Sequence, residues 1–147
     1  MSSYAAPEPA LRPLGRWFFL VARGFAALSF IFFTASFVAA ILNPNIGHVL
    51  TMLLRWGDHP TRAYEMMISV IYMAWAPFLW IAAGDPRKHR LFLDFTLVGN
   101  AAHFTTMAVM SMTMPMEHDH MFGDVLLGWV GLIAYAVTWF SARPSYK

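Results

Sequence analysis

Cysteine is absent from the sequence, which excludes disulfide staples, thiolate metal sites and thiol redox chemistry in any compartment. Charge is scarce as well. Charged residues make up 12% of the chain, against about 25% in soluble globular domains. No basic stripe or nucleic-acid motif accompanies the formal charge of +2, so no nucleic-acid partner is expected. The zinc-protease H-E-x-x-H, the nucleophile elbow, the phosphate loop, the dinucleotide fingerprint and a haem motif are all missing. So are internal repeats and low-complexity tracts.

What the chain does have is apolar length. It is 59% hydrophobic and 16% aromatic, with mean hydropathy +0.52, outside the range of soluble domains. About 20 apolar residues cross a hydrocarbon core of about 30 Å, and four runs qualify: "WFFLVARGFAALSFIFFTASFVAAIL" (17–42), "AYEMMISVIYMAWAPFLWIAAG" (63–84), "LFLDFTLVGNAAHFTTMAVMSMTM" (91–114) and "MFGDVLLGWVGLIAYAVTWFSA" (121–142). The first is too long for the roughly 7–15-residue core of a secretory signal and is expected to stay as an anchor. The expectation is an all-α, integral membrane, antiparallel four-helix bundle. A mobile, proline-rich segment 1–16 precedes a single domain over 17–147.

Orientation follows from the basic residues. Arg12 and Arg16 flank the first span, Arg87, Lys88 and Arg90 fill the loop after the second, and Arg143 and Lys147 follow the fourth. The two other loops hold only Arg55 and Arg62. The positive-inside rule then places both termini in the cytoplasm, with residues 43–62 and 115–120 facing the periplasm or cell exterior. Within the first outer loop, "IGHVLTMLLRW" is long enough for a short interfacial helix, with Trp56 at headgroup level. It lies between the breakers Asn43-Pro44 and Asp58-His59-Pro60.

At about 100° per residue, Thr96, Asn100, His103, Met107, Met110 and Met114 form one stripe on the third span. Glu65, Ser69, Tyr72 and Ala76 form one on the second, and Asp124, Gly128, Gly131, Tyr135, Thr138 and Ala142 one on the fourth. Polar and small residues are where membrane helices meet, so the stripes should face one another, with Pro77 kinking the second span. Arg23 and Asp94 lie within about two turns of the cytoplasmic helix ends. That predicts a structural Arg23–Asp94 ion pair, with Arg23 snorkelling to the headgroups as the alternative. Glu65 and Asp124 fall near the outer surface and His103 deeper, so the three can converge. For Glu65 and Asp124 the simpler role is a carboxylate at a helix N-terminus. For His103 it is an interhelical hydrogen bond to Tyr72, Glu65 or Tyr135.

The stretch "MAVMSMTMPMEHDHMFGD" (107–124) carries six of the eleven methionines. Thioether sulfur suits Cu(I), and imidazole with carboxylate suits Cu(II) or Zn(II). Met114, Met116, His118 and His120 are therefore candidate ligands for copper or zinc, with the two histidines sharing one ion from an extended loop after Pro115 ends the helix. The competing reading is that methionine fills irregular gaps between helices.

At "TRAYEMMISVIYMAWAPFLWIAAGDPRKHRLFLDF", "NAAHFTTMAVM" and "HMFGDV", about residues 61–126, the chain resembles small four-span bacterial membrane proteins of uncharacterised function, loosely DoxX-like. The resemblance implies the four-helix fold, points to Glu65, His103 and Gly123-Asp124, and supplies no reaction. Two functional readings follow. The favoured one is a non-enzymatic accessory or binding protein, in a larger membrane complex or a homo-oligomer, that holds a small ligand through Glu65, Tyr72, Asn100, His103, Asp124 and Tyr135. The other is a membrane enzyme acting on a quinone-like or other lipophilic substrate, with His103 and a carboxylate as acid and base.

Overall fold

The structure is a computed structural model that describes residues 13–42, 45–55 and 62–146, without the side chains of Pro13, Leu14, Met116, Ser145 and Tyr146. Segment 1–12, both breaker motifs and Trp56 lie outside the described residues. Among the described residues all regular structure is helical: α1 (Pro13–Leu42), α2 (His48–Leu54), α3 (Arg62–Ala82), α4 (Arg90–Thr113), a 3-10 segment (Pro115–Phe122), α5 (Asp124–Ala142) and a short 3-10 turn to Tyr146. Three helical stretches, Gly15–Leu42, Arg62–Ala82 and Glu117–Ala142, are long and apolar enough to cross a membrane.

Two boundaries differ from the sequence expectation. Helix α1 starts at Pro13, so residues 13–16 belong to it and not to a mobile segment. Proline suits a first turn because its φ is already helical and its missing N–H has no partner to lose there. Residues 115–122, expected as an extended loop, wind into a 3-10 helix. Pro115 ends α4 and opens the next turn for the same reason. Helix α3 runs unbroken through Pro77 to Ala82.

Each long helix buries one face. On α3 the buried residues are Glu65, Ser69, Tyr72, Ala76, Leu79 and Ala82, a stripe at helical spacing. Helix α1 contributes Phe18, Ala22 and Ala26, four apart and mostly small, so α3 and α5 pack closely against it. Helix α4 meets α3 and α5. At Gly128 of α5 an added Cβ would fall 2.6 Å from the Phe104 ring of α4, so only glycine admits that ring. Aromatic contacts fix the registers: Phe25 of α1 lies edge-on to Trp75, Phe33 stacks on Tyr72 at 4.1 Å, and Phe18 packs on Tyr135 and Trp139.

Helix α2 has no buried residue and lies across one end, where Met52 and Leu53 come within 3.2 Å of a Cβ built at Gly123. Gly47 precedes it with φ 79° and ψ 162°, a positive-φ conformation essentially confined to glycine, which costs a side-chain-bearing residue about 1–3 kcal/mol. At the opposite end residues 83–89 turn α3 into α4. There Lys88 Nζ stands 2.8 Å from Asp85 Oδ2, and its hydrogen bond holds the partly exposed Asp85 carboxyl below the usual carboxylate range. The depressed value means that the contact is present at neutral pH and is lost as pH falls through the folded-state titration. Lys88→Gln should raise the Asp85 midpoint towards the ordinary range in a carboxyl-selective NMR titration; an unmoved midpoint would show that Lys88 is not its cause.

Candidate functional site

The polar residues of the α2 end are built from four elements. Glu65, in the first turn of α3, is 6% exposed. Arg55, just past α2, donates from Nε to both its carboxylate oxygens at 3.0 and 3.1 Å and from Nη1 to the Ala39 carbonyl at 3.3 Å. One side chain thus ties α2, α3 and α1 together. Asp124, the first residue of α5, is 7% exposed and sits 3.0 Å from His120 Nδ1. His120 Nε2 lies 3.3 Å from Glu117. A neutral imidazole donates to only one of two carboxylates, whereas the doubly protonated ring serves both. On the outer edge His48 meets Asp119 at 3.4 Å, an exposed contact worth little.

Beneath this polar layer, Tyr72 donates to Asn100 Oδ1 at 3.1 Å, and Asn100 donates to the Thr96 carbonyl at 2.8 Å. The His103 ring lies between Tyr72 and Phe104, with centroids at 5.2 and 5.5 Å, within electrostatic reach of Asp124. Its neighbours are rings, and among the described residues it makes no hydrogen bond. Ser69, between Glu65 and Tyr72 on α3, and Ser111, near the end of α4, are 1% and 2% exposed, and both hydroxyls lack a hydrogen-bond partner among the described residues. Buried polar groups are normally satisfied. This end of the molecule therefore offers more donors and acceptors than its own residues use.

Of the residues expected from sequence, Tyr72, Asn100, His103 and Asp124 do gather in this half, with Glu65 on the same α3 face as Tyr72. Tyr135 does not. Its hydroxyl donates to the Leu93 carbonyl at 3.0 Å and its ring packs on Phe18 and Phe25, because α4 and α5 are registered so that residue 135 lies beside residue 93. The Arg23–Asp94 pair is not formed either. Asp94 accepts from Arg143 Nη2 at 2.6 Å and Trp139 Nε1 at 2.8 Å, since α4 packs on α5 and places Asp94 next to that helix's last turns. Arg23 stacks on Phe19 and Trp80 instead.

The candidate metal ligands are dispersed in environment. His118 and Met114 are exposed, while His120 is buried between two carboxylates, and the Met116 side chain is outside the described residues. No group of three or more His, Asp or Glu among the described residues is arranged to hold a metal ion. Sequence reading put Ser69 on the inward stripe of α3 and missed Arg55, Glu117 and Ser111. Glu117, His120 and Asp124 stand at i, i+3 and i+7, a helical face visible once Pro115 is taken as a helix start.

All regular structure among the described residues is helical, and three of those helices are membrane-length and apolar, which gives the chain the character of a membrane protein. It belongs to the family of unknown function DUF6632, whose pattern matches residues 38–142. No curated protein and no solved structure matches it.

Proposed function

We propose that the chain is a multi-pass protein of the bacterial inner membrane, an antiparallel four-helix bundle of α1, α3, α4 and α5 with both termini cytoplasmic and the α2 end outside. It acts as a non-enzymatic accessory or binding protein, with its polar site below the outer surface. Kinship with DoxX-like proteins is part of the same reading. Helix α4 is the least apolar of the four, but its outward hydroxyls are already satisfied: Thr105, Thr106 and Thr113 donate to the carbonyls four residues back at 2.7, 3.0 and 2.8 Å. Its inward Asn100 is bonded to Tyr72. A helix whose polar groups are matched internally tolerates lipid.

The observation that carries the binding reading is the half-buried His103 together with two buried hydroxyls that lack partners among the described residues, Ser69 and Ser111, in the half of the molecule that holds the Arg55–Glu65 and Glu117–His120–Asp124 contacts. Such groups cost about 1–3 kcal/mol each when buried unpaired, and a small polar ligand or ion satisfies them. His103 is the contact at the floor of the site. The protein purified in mild detergent without added metal should carry a stoichiometric small molecule or ion, detected by mass spectrometry of extracts and elemental analysis. His103→Ala should lose it while keeping helical content and a thermal midpoint within a few degrees. A well-folded His103→Ala protein with undiminished cargo, or an empty wild type, defeats the reading.

A further inference from the structure

Arg23 stands within the apolar helix α1. Among the described residues it has no carboxylate partner. Its guanidinium carbon lies 4.1 Å from the Phe19 ring centroid and 4.7 Å from that of Trp80, and Nη2 comes within 3.3 Å of a Cβ built at Gly84, in the turn where α3 ends. Its Nε is buried without an acceptor. Stacking on two rings stabilises the charge but occupies none of the N–H donors. A planar cation with unused donors, at the depth where a helix ends, matches a phosphate group.

The same Trp80 closes one end of an apolar groove of about 320 Å³ between α1 and α3, lined by Ala26, Phe30, Ile31, Ala76 and Pro77. A second groove, about 480 Å³, begins at Phe30 and Ile31 and continues along α1 to Val38 and, under α2, to Leu50. Thr34, the polar residue on this track, donates its hydroxyl to the Phe30 carbonyl at 2.7 Å. From Ala26 to Val38 the helix rises about 18 Å, slightly more than half of a hydrocarbon core of about 30 Å. The track has the length of a lipid chain, and one end of it carries the cation.

We propose that the chain binds one phosphate-bearing lipid at this position, with the phosphate on Arg23 and a hydrocarbon chain in the groove between α1 and α3. The proposal rests on membrane embedding and not on the polar site at the α2 end. The exposed Arg16, Arg87 and Lys88 attract anionic headgroups in a diffuse way; Arg23 alone among them is framed by rings next to a groove.

The test uses the full chain, delipidated in mild detergent and titrated with dioleoyl phosphatidic acid, dioleoylglycerol or inorganic phosphate, with bound species counted by native mass spectrometry. One phosphatidic acid per chain is expected, with the other two probes weaker by about tenfold or more, the worth of a charge-assisted hydrogen-bond pair. Arg23→Gln should weaken phosphatidic acid by a similar factor, and an Arg87→Gln, Lys88→Gln double variant should change it little. Ala27 also lines the groove between α1 and α3; Ala27→Leu, which fills it and leaves every charge in place, should also weaken binding and carries the test if Arg23→Gln does not fold. Undiminished lipid on folded Arg23→Gln, or an equal loss in the double variant, overturns the proposal. Equal binding of dioleoylglycerol reduces the site to a groove, and displacement of the lipid by inorganic phosphate reduces it to an anion site; either result also overturns it. Retention of any His103-dependent cargo is a separate readout, so failure here leaves the α2-end site standing.

Discussion

Glu65→Ala should lower stability by about 3 kcal/mol, the low end of the cost of removing one partner of a buried ion pair. Glu65 and Arg55 side chains are 4% and 13% exposed, so solvent does little to compensate the guanidinium that remains. The Ala39 carbonyl still accepts from Arg55 Nη1, which keeps the loss from being larger. An apolar double replacement, Arg55→Met with Glu65→Leu, should recover most of the loss, because it removes the buried charge together with its partner. Denaturant unfolding in detergent gives both numbers. A single variant within about 0.5 kcal/mol of wild type would mean that the pair is solvated like a surface contact.

The other large effect is expected at the opposite end. Trp139 is fully buried, packs on Phe18 at 4.8 Å and donates to Asp94 at 2.8 Å. Trp139→Ala should cost about 3–5 kcal/mol, as aromatic truncations in cores do. Trp139→Phe keeps most of the packing, removes the donor and leaves Asp94 with Arg143, so its loss should be nearer 1 kcal/mol. Equal losses in the two variants would assign the stability to the hydrogen bond and not to the ring.

Segment identity was legible in the sequence because a membrane-length apolar run is a one-dimensional signal. Apolar runs located α1, α3 and α5 as membrane-length helices to within a few residues, the run at 91–114 fell on helix α4, which is not among the three, and the period of Glu65, Ser69, Tyr72 and Ala76 gave the buried face of α3. Partner choice was not legible. Asp94 is 49 residues from Arg143, and which cation reaches it depends on the register between α4 and α5, which no local pattern encodes. The partners of Tyr135 were not legible for the same reason: its inward helical face could be read, its level along the helix could not. The 3-10 segment was obscured by Pro115, a residue that reads as a terminator and serves also as an initiator.

Ala26 of α1 and Ala76 of α3 line the same groove. From that level α1 continues about 20 Å back to Pro13, whereas α3 continues about 9 Å to Ala82, at 1.5 Å per residue. Counted from these two residues, α1 thus runs about 10 Å further as a helix than α3 does. In the membrane setting proposed above, a bilayer of uniform thickness does not fit both lengths. It thins beside the α3–α4 turn, or the whole chain tilts until the exposed Trp17 settles among the headgroups. In either case the lipids around the protein are sorted by hydrophobic thickness.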